Sequence, residues 1–218
     1  MVKRLKILIA DDHAVFRHGL KDILRKNFPG VVIGEAETGR GVVNKVRKAK
    51  WHIVVLDVTM PGLNGVDALL EIKQIQPALP ILMLSMHSED QYAIRVLKAG
   101  ASGYINKIKA SLEIVKAITS VLAGDKFISP RLTERLVEQL KPGSKKSPHD
   151  RLSNREYQVM QLTASGKSLK EIGDKLSISV QTVSTHRMRI LKKMGLHTSA
   201  ELIRYVMENE LAWRGVQQ

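Results

Sequence analysis

Five short apolar runs, each followed by an amphipathic segment, restrict the fold of the first 124 residues. The runs are LKILIA (5–10), VVIGEA (31–36), HIVVLD (52–57), PILMLS (80–85) and GYIN (103–106). Such β-branched and aliphatic runs are typical of parallel strands buried on both faces. Helices are predicted near 14–27, 39–50, 65–76, 89–99 and 110–124. This alternation predicts right-handed crossovers and an α/β fold with a parallel sheet.

The pattern changes beyond residue 124. The segment 132–140 has the spacing of a short helix. The stretch KPGSKKSPHDR (141–151) has no apolar anchor, which predicts a flexible linker. Four further helices are predicted, at about 153–165, 168–176, 180–194 and 198–210. We therefore expect three parts: a first domain at 1–124, a linker helix and flexible linker at 125–151, and a small all-α domain at 152–218.

The formal net charge of +14 favours a polyanionic partner. Residues 1–124 contain 18 basic and 11 acidic residues, and residues 125–218 contain 17 and 10. The surplus is therefore shared by the two halves rather than confined to a tail. Nucleic acid is a common partner of such a protein, and a solvated basic surface is the alternative interpretation.

Several classes of protein are disfavoured by composition. The chain has no cysteine, which excludes disulfides, thiolate metal sites and thiol catalysis. No apolar run approaches the roughly 20 residues that span a bilayer. The apolar run near the N-terminus is short and ends in two acids, so a signal peptide is not expected. These features predict a cytoplasmic protein without a membrane partner.

Acidic residues lie at the ends of two predicted strands that should be neighbours. The first strand is followed by Asp11 and Asp12, and the third ends in Asp57. In a doubly wound sheet of order 2-1-3-4-5, these ends lie side by side where such folds bind ligands. Carboxylates this close either have raised pKa values or bind a cation, and all-oxygen ligands favour Mg²⁺. A magnesium site is therefore predicted.

Two other strand ends carry groups suited to a phosphoryl group. Ser85 ends the fourth strand and offers a hydroxyl, and Lys107 follows the fifth and offers a cation. Aspartate is a known nucleophile in aspartyl-phosphate chemistry. Each residue alone has an ordinary structural explanation. Their occurrence together, at the ends of separate strands, predicts a pocket that holds Mg²⁺ and a phosphoryl group.

The motifs DDH, LDVTMPGLNG, LS and GYINK together resemble those of two-component receiver domains across residues 1–124. The resemblance implies a flavodoxin-like doubly wound five-stranded parallel sheet of order 2-1-3-4-5. It implies that Asp57 is the phosphoacceptor and that Asp11, Asp12, Asp57 and the backbone carbonyl of Thr59 bind Mg²⁺. It further implies that Ser85 and Lys107 contact the phosphoryl group, and that Tyr104 is a switch residue. Ile108 follows Lys107, where many receivers have Pro or Asp.

The second half contains a helix-turn-helix pattern. The segments SLKEIGDKL and QTVSTHRMRILKKM are separated by a three-residue turn. On the second helix, short polar side chains come first and Arg189, Lys192 and Lys193 follow. In a major groove, the short side chains would lie near base edges and the cations near phosphates. An amphipathic helix with a basic solvent face is the alternative. The predicted DNA contacts are Lys170, Gln181, Thr182, Ser184, Thr185, His186, Arg187, Met188, Arg189, Lys192 and Lys193.

Residues 152–210 resemble the LuxR-type helix-turn-helix domain nearly end to end, and the whole chain resembles NarL/FixJ-type response regulators. The departures are Leu169, where the family often has Asn, and Ser184, where it often has Lys. The resemblance implies a transcription regulator that binds double-stranded promoter DNA and is phosphorylated by a sensor histidine kinase. Phosphorylation is expected to release the helix-turn-helix domain or to make it dimerise. Contact with RNA polymerase is a further expectation.

Two other functions remain possible from the residues. A haloacid-dehalogenase-like phosphatase also uses a strand-end Asp with Mg²⁺, but it needs a second Asp where Thr59 stands. A DNA-binding protein with a vestigial receiver is the other. The expected protein is not a turnover enzyme, although its receiver is expected to catalyse its own phosphotransfer and dephosphorylation.

Overall fold

The computed structural model describes residues 4–86, 89–140, 147–209 and 211, and, within helices, omits the side chains at 89–91, 131, 135 and 138–140. Two compact units divide the chain, at 1–138 and 139–218. In the described ranges, no helix is long and apolar enough to cross a bilayer.

The first unit is built on a parallel sheet of order β2-β1-β3-β4-β5, which confirms the predicted fold class. Its strands are β1 (Lys6–Ala10), β2 (Val32–Ala36), β3 (Ile53–Asp57), β4 (Ile81–Ser85) and β5 (Gly103–Asn106). Every residue of β3 and β4 is buried, which explains why these two runs have no polar alternation. The strand order reverses between β1 and β3, so a ligand cleft is expected there.

Helices cover both faces of the sheet. They are α1 (Ala14–Asn27), α2 (Gly39–Lys48), α3 (Gly65–Ile75), α4 (Glu89–Lys98) and α5 (Ala110–Leu122), and α6 (Pro130–Leu140) follows. Side chains of α1 and α5 pack with Ile7 and Ile9 in one apolar cluster. A short 3-10 helix, Lys107–Lys109, follows β5 directly.

The second unit is helical, as predicted. It contains α7 (Asn154–Ala164), α8 (Leu169–Leu176), α9 (Val180–Met194) and α10 (Ser199–Glu208). The predicted capping box of Ser153 and Glu156 is present at α7. Three residues separate α8 from α9, and α9 packs against both α7 and α8. The unit therefore holds α9 as the second helix of a helix-turn-helix.

Part of the segment predicted as a flexible linker has regular structure. Residues 141–146 lie outside the described residues, but Pro148–Arg151 forms a 3-10 helix with a capping box. The ring of His149 is fixed there, because its Nδ1 lies 2.8 Å from the hydroxyl of Tyr205. Sequence composition missed this local order because Pro at the helix start and a capping Ser–Asp pair also occur in linkers. The predicted domain boundaries remain predictions.

Candidate functional site

The sheet register brings the predicted acids together. Ala10 pairs with Leu56, so Asp11 and Asp57 occupy equivalent positions on neighbouring strands. Both side chains are buried: Asp11 is 0% exposed and Asp57 is 2% exposed. Burial of two carboxylates is costly unless they are paired. The pocket at the ends of β1 and β3 therefore requires a cation.

Lys107 supplies one positive charge to this pocket. Its Nζ lies 2.7 Å from Oδ2 of Asp11 and 2.9 Å from Oδ2 of Asp57. The same nitrogen lies 4.9 Å from the ring centroid of Phe16, within cation–π range. Lys107 reaches both carboxylates because the 3-10 helix begins where β5 ends, two strands away from β3. The predicted acid–lysine constellation is thus assembled in space.

Burial raises the pKa of Asp57 to about 7, because desolvation outweighs the attraction of Lys107. The neighbouring Asp11 raises this pKa further, while the backbone N–H of Thr59 lowers it by hydrogen bonding to the carboxylate. For Lys107, burial opposes the charged form, but Asp57 and Asp11 more than offset it, so its pKa is raised. Asp57 is therefore a carboxylate whose charge is incompletely compensated, a property typical of functional sites.

The remaining predicted residues of the pocket lie on adjacent strand ends. Asp57 pairs with Leu84, and Ser85 is the next residue of β4. Ser85 itself pairs with Asn106, the residue before Lys107. Both Ser85 and Tyr104 are buried. Tyr104 pairs with Met83, so it lies on β5 rather than at the strand ends.

Asp12 and His13 complete a possible cation site. One ligand atom from each of Asp11, Asp12, His13 and Asp57 lies within 4.8 Å of the others. The His13 Nδ1 atom is 2.8 Å from Oδ1 of Asp12. Apart from the Lys107 ammonium, the buried Oδ2 atoms of Asp11 and Asp57 have no hydrogen-bond partner among the described residues. This donor set fits a hard divalent cation such as Mg²⁺.

Arg17 also belongs to the site, although it was not predicted from the sequence. Its guanidinium is buried and donates a 2.8 Å hydrogen bond to the backbone carbonyl of Asp11. It also bonds Glu37 at 2.7 Å and contacts Glu35 at 3.4 Å. Arg17 therefore fixes the position of the backbone that carries the Asp11 side chain. The only signal was a lone Arg on an apolar helix face, one turn after the acid pair.

The loop after β3 is held close to Asp57 by two residues. A Cβ at Gly65 would lie 1.8 Å from the Asp57 carbonyl oxygen, so only glycine allows this approach of α3. Asn64 is buried, and its side chain accepts a hydrogen bond from the backbone N–H of Asp67 at the start of α3. The LDVTMPGLNG motif thereby positions the phosphoacceptor candidate, and not only the loop itself.

The second unit exposes one face of α9. Val183, Ile190 and Met194 are buried, whereas Gln181, Thr182 and Met188 are exposed. Met188 is 62% exposed, so its apolar side chain is open to a partner. Ser184, Thr185 and Arg187 are partly exposed, and Arg189, Lys192 and Lys193 are exposed. Lys170 is exposed on α8. All predicted DNA contacts on this face are therefore accessible in part or in full, and their role remains a prediction.

One of the predicted DNA contacts has an ion-pair partner within the unit, and another is half-buried. Nζ of Lys193 lies 2.6 Å from Oε2 of Glu156, which is buried at the start of α7. His186 is half-buried, and its Nδ1 has no hydrogen-bond partner among the described residues. Burial lowers the pKa of His186. The Lys193–Glu156 ion pair therefore joins α9 to α7.

Four apolar residues of α10 have the helical spacing of a dimer surface, but two of them lie in the core of the second unit. Leu202 and Val206 are fully buried within the second unit, whereas Ile203 and Met207 are exposed. Helical periodicity cannot separate a core face from an interface. Ile203 and Met207 therefore remain as the candidate dimer surface on α10.

The fold and the site define a class of protein: a receiver-type unit with an acidic pocket joined to a helix-turn-helix unit. A family model described as "Response regulator receiver domain" matches residues 7–119, and one described as "Bacterial regulatory proteins, luxR family" matches residues 150–206. The chain belongs to the response regulators with a LuxR-type DNA-binding domain. It is a homologue of transcription regulators of the two-component type.

Relatives resemble the chain over nearly its full length. Response regulator GacA of Pseudomonas aeruginosa is 34% identical over 91% of this chain and 93% of its own. Response regulator UvrY of Escherichia coli is 33% identical over 95% of each. RcsB of Salmonella enterica serovar Typhimurium, solved bound to promoter rprA with the phosphomimetic BeF₃⁻, is 26% identical. That comparison covers 94% of this chain and 99% of RcsB, with a TM-score of 0.62.

Proposed function

We propose that phosphorylation of Asp57 controls binding of the second unit to promoter DNA. The observation that carries this proposal is the buried Asp57 carboxylate beside Asp11 and Lys107. A sensor histidine kinase is the proposed donor. In the transfer, a carboxylate oxygen of Asp57 forms a bond to phosphorus as the phosphorus–nitrogen bond of a phosphohistidine breaks. The electron pair of that bond returns to the imidazole, which takes up a proton.

The residues around Asp57 have separate proposed roles. Asp11, Asp12, Asp57 and the backbone carbonyl of Thr59 would hold Mg²⁺, and His13 stands beside them. When bound, the ion would supply positive charge that offsets the negative charge of the phosphoryl oxygens. Lys107 is already at Asp57 and is proposed to bind a phosphoryl oxygen, as is the Ser85 hydroxyl. Tyr104 is proposed to change position with Ser85, which would carry the signal to the surface of the first unit.

DNA binding is proposed for the exposed face of α9. Gln181, Ser184, Thr185 and Met188 would reach base edges, and Lys170, Arg187, Arg189 and Lys192 would meet phosphates. RcsB, which shares this architecture, is bound to a promoter in its solved structure. Two copies of the chain on a two-fold site would read an inverted repeat. Contact of the bound dimer with RNA polymerase is proposed as the route to transcription.

Phosphotransfer is tested with a small phosphodonor. Wild type incubated with acetyl phosphate and Mg²⁺ should gain one phosphoryl group by intact-mass measurement, and Asp57→Asn should gain none. The exposed Asp125→Asn is the matched control and should behave as wild type. Release of many equivalents of phosphate per protein would instead indicate a phosphatase. A stable phosphoprotein supports the regulator.

Regulation is tested by comparing genome-wide DNA binding of wild type with that of Asp57→Asn. Wild type should occupy promoters under conditions that activate its kinase, and the variant should occupy them weakly. Equal occupancy by both proteins would leave DNA binding intact but would favour a vestigial receiver.

A further inference from the structure

Four cationic side chains line one open cleft on a flank of α9. They are Arg151, Arg189, Lys192 and Lys193. Three of them lie in the last two turns of α9, whereas Arg151 ends the 3-10 helix that precedes α7. The cleft is therefore built from two segments that are distant in sequence. The folded second unit brings them together, so the charges converge before any ligand is present.

Only one of these cations has a carboxylate partner that the structure describes. Lys193 is paired with Glu156 at 2.6 Å. Within the described ranges, Arg151, Arg189 and Lys192 form no ion pair with an acidic side chain. The nearby Asp150 is engaged instead, because its carboxylate accepts the backbone N–H of Ser147. The cleft thus retains three uncompensated positive charges, which repel one another until an anion enters.

The position of the cleft suggests which anion it takes. With about 100° of rotation per helical residue, Lys192 lies on the same side of α9 as Gln181 and Met188. Arg189 and Lys193 are rotated from that side by roughly 80–120°, toward the flank where Arg151 stands. The cleft therefore borders the face proposed to read bases and does not occupy its centre. A backbone phosphate at the edge of the major groove would lie there.

We propose that this cleft binds one DNA backbone phosphate and that Arg151 contributes a contact from outside the helix-turn-helix. The proposal rests on the proposed DNA-binding function. An Arg guanidinium suits this role because its donors match two phosphate oxygens at once. Phosphate contacts carry no base information. Arg151 should therefore strengthen binding to every sequence equally and fix the orientation of α9 on the duplex.

The test uses the full-length protein treated with beryllofluoride. Two fluorescent duplexes of equal length are compared: one selected in vitro with wild type, and a scrambled version. Affinities are measured by anisotropy across a salt series for wild type and Arg151→Gln. Arg25→Gln, an exposed charge removal in α1, is the matched control. Thermal shift with inorganic pyrophosphate tests whether the cleft takes a small free anion.

Arg151→Gln should weaken binding to both duplexes by the same factor, about tenfold at low salt, and reduce the salt slope by about 1. Arg25→Gln should keep the wild-type slope. An unchanged slope in Arg151→Gln, or an altered ratio between the two duplexes, would overturn the proposal while DNA binding stands. Saturable pyrophosphate binding that requires Arg151, with unaltered DNA affinity, would also overturn it. If selection with wild type enriches no duplex, the DNA-binding function itself fails, and the phosphate contact with it.

Discussion

Nζ of Lys107 lies 2.9 Å from Oδ2 of Asp57 and 2.7 Å from Oδ2 of Asp11, so one ammonium holds two buried carboxylates. This contact occupies the oxygens that the proposed Mg²⁺ would also use. The ion and the lysine must therefore share the pocket, and the pocket should be most stable when both are present. Lys107 thus contributes to stability as well as to phosphoryl binding.

Lys107→Met should lower the free energy of unfolding by roughly 3–5 kcal/mol at pH 8 in the presence of a chelator. The reason is that two buried carboxylates lose their cation while the stem of the side chain is preserved. Saturating Mg²⁺ should restore part of the loss, because it binds only the folded pocket. Urea unfolding with and without Mg²⁺ measures both effects.

Lys109→Met provides the control, because Lys109 is exposed in the same 3-10 helix. It should change stability by less than about 0.5 kcal/mol. Equal losses in the two variants would show that the contact with the acids contributes nothing of its own.

Arg17→Met should weaken Mg²⁺ binding by about tenfold, a loss typical for residues that orient a metal ligand without binding the metal themselves. Arg17 donates to the Asp11 carbonyl, so its removal frees the backbone that aims the acid pair. Isothermal titration with Mg²⁺ on folded protein checks this. Arg25→Met in the same helix should retain wild-type affinity, and an equal affinity in both variants would exclude the positioning role.

The sheet and its acidic edge could be predicted because strand type and strand end are local signals. The apolar runs predicted β3 and β4. Both strands are buried on both faces of the sheet, so their sequences do not alternate between apolar and polar residues. Asp57 stood out because it interrupts such a run. The predicted strand order then placed Asp11 beside it, which the register confirms.

What the sequence did not show depends on contacts between distant segments. Arg17 bonds a backbone carbonyl and two β2-region acids, and no periodicity encodes such a set. The same holds for Leu202 and Val206, whose burial depends on how α10 packs inside its unit. Arg151 joins the cleft on α9 only through the fold. The helices that carry Arg17, Leu202 and Val206 were predicted, but their contact partners were not, and for Arg151 the local 3-10 helix was missed as well.

Gly65→Ala should destabilise the first unit by about 2–4 kcal/mol. The added Cβ would lie 1.8 Å from the carbonyl oxygen of Asp57, so either α3 or the end of β3 must shift. Thermal unfolding with Mg²⁺ titration should show reduced stability and weaker metal binding together. Gly62→Ala is the control: its φ is +70°, but no atom lies within 4 Å of the added Cβ, so about 1 kcal/mol is expected. Similar losses in stability and in metal affinity for the two variants would contradict the close-approach explanation.

The second unit should lose stability as the pH falls, with two groups contributing at different pH. Burial lowers the pKa of His186, so below about pH 6.5 the unfolded chain takes up a proton first and folding becomes less favourable. For Glu156, burial opposes the carboxylate, but hydrogen bonds from Lys193 and Ser153 outweigh it and lower the pKa. The stability from this carboxylate is complete above its unfolded pKa of about 4.3 and is lost as the pH falls through the lower folded value.

Hydrogen exchange of the α7 amides, corrected for the intrinsic effect of pH, measures this loss. Protection in wild type should fall by about tenfold or more between pH 7 and pH 3. Glu156→Gln should have lower protection at pH 7, because Lys193 loses its partner, and a flatter profile below pH 5. The exposed Glu208→Gln should follow the wild-type curve. If Glu156→Gln keeps the wild-type acid profile, the Glu156–Lys193 contact does not hold α9 against α7, and the orientation of α9 must depend on its apolar face alone.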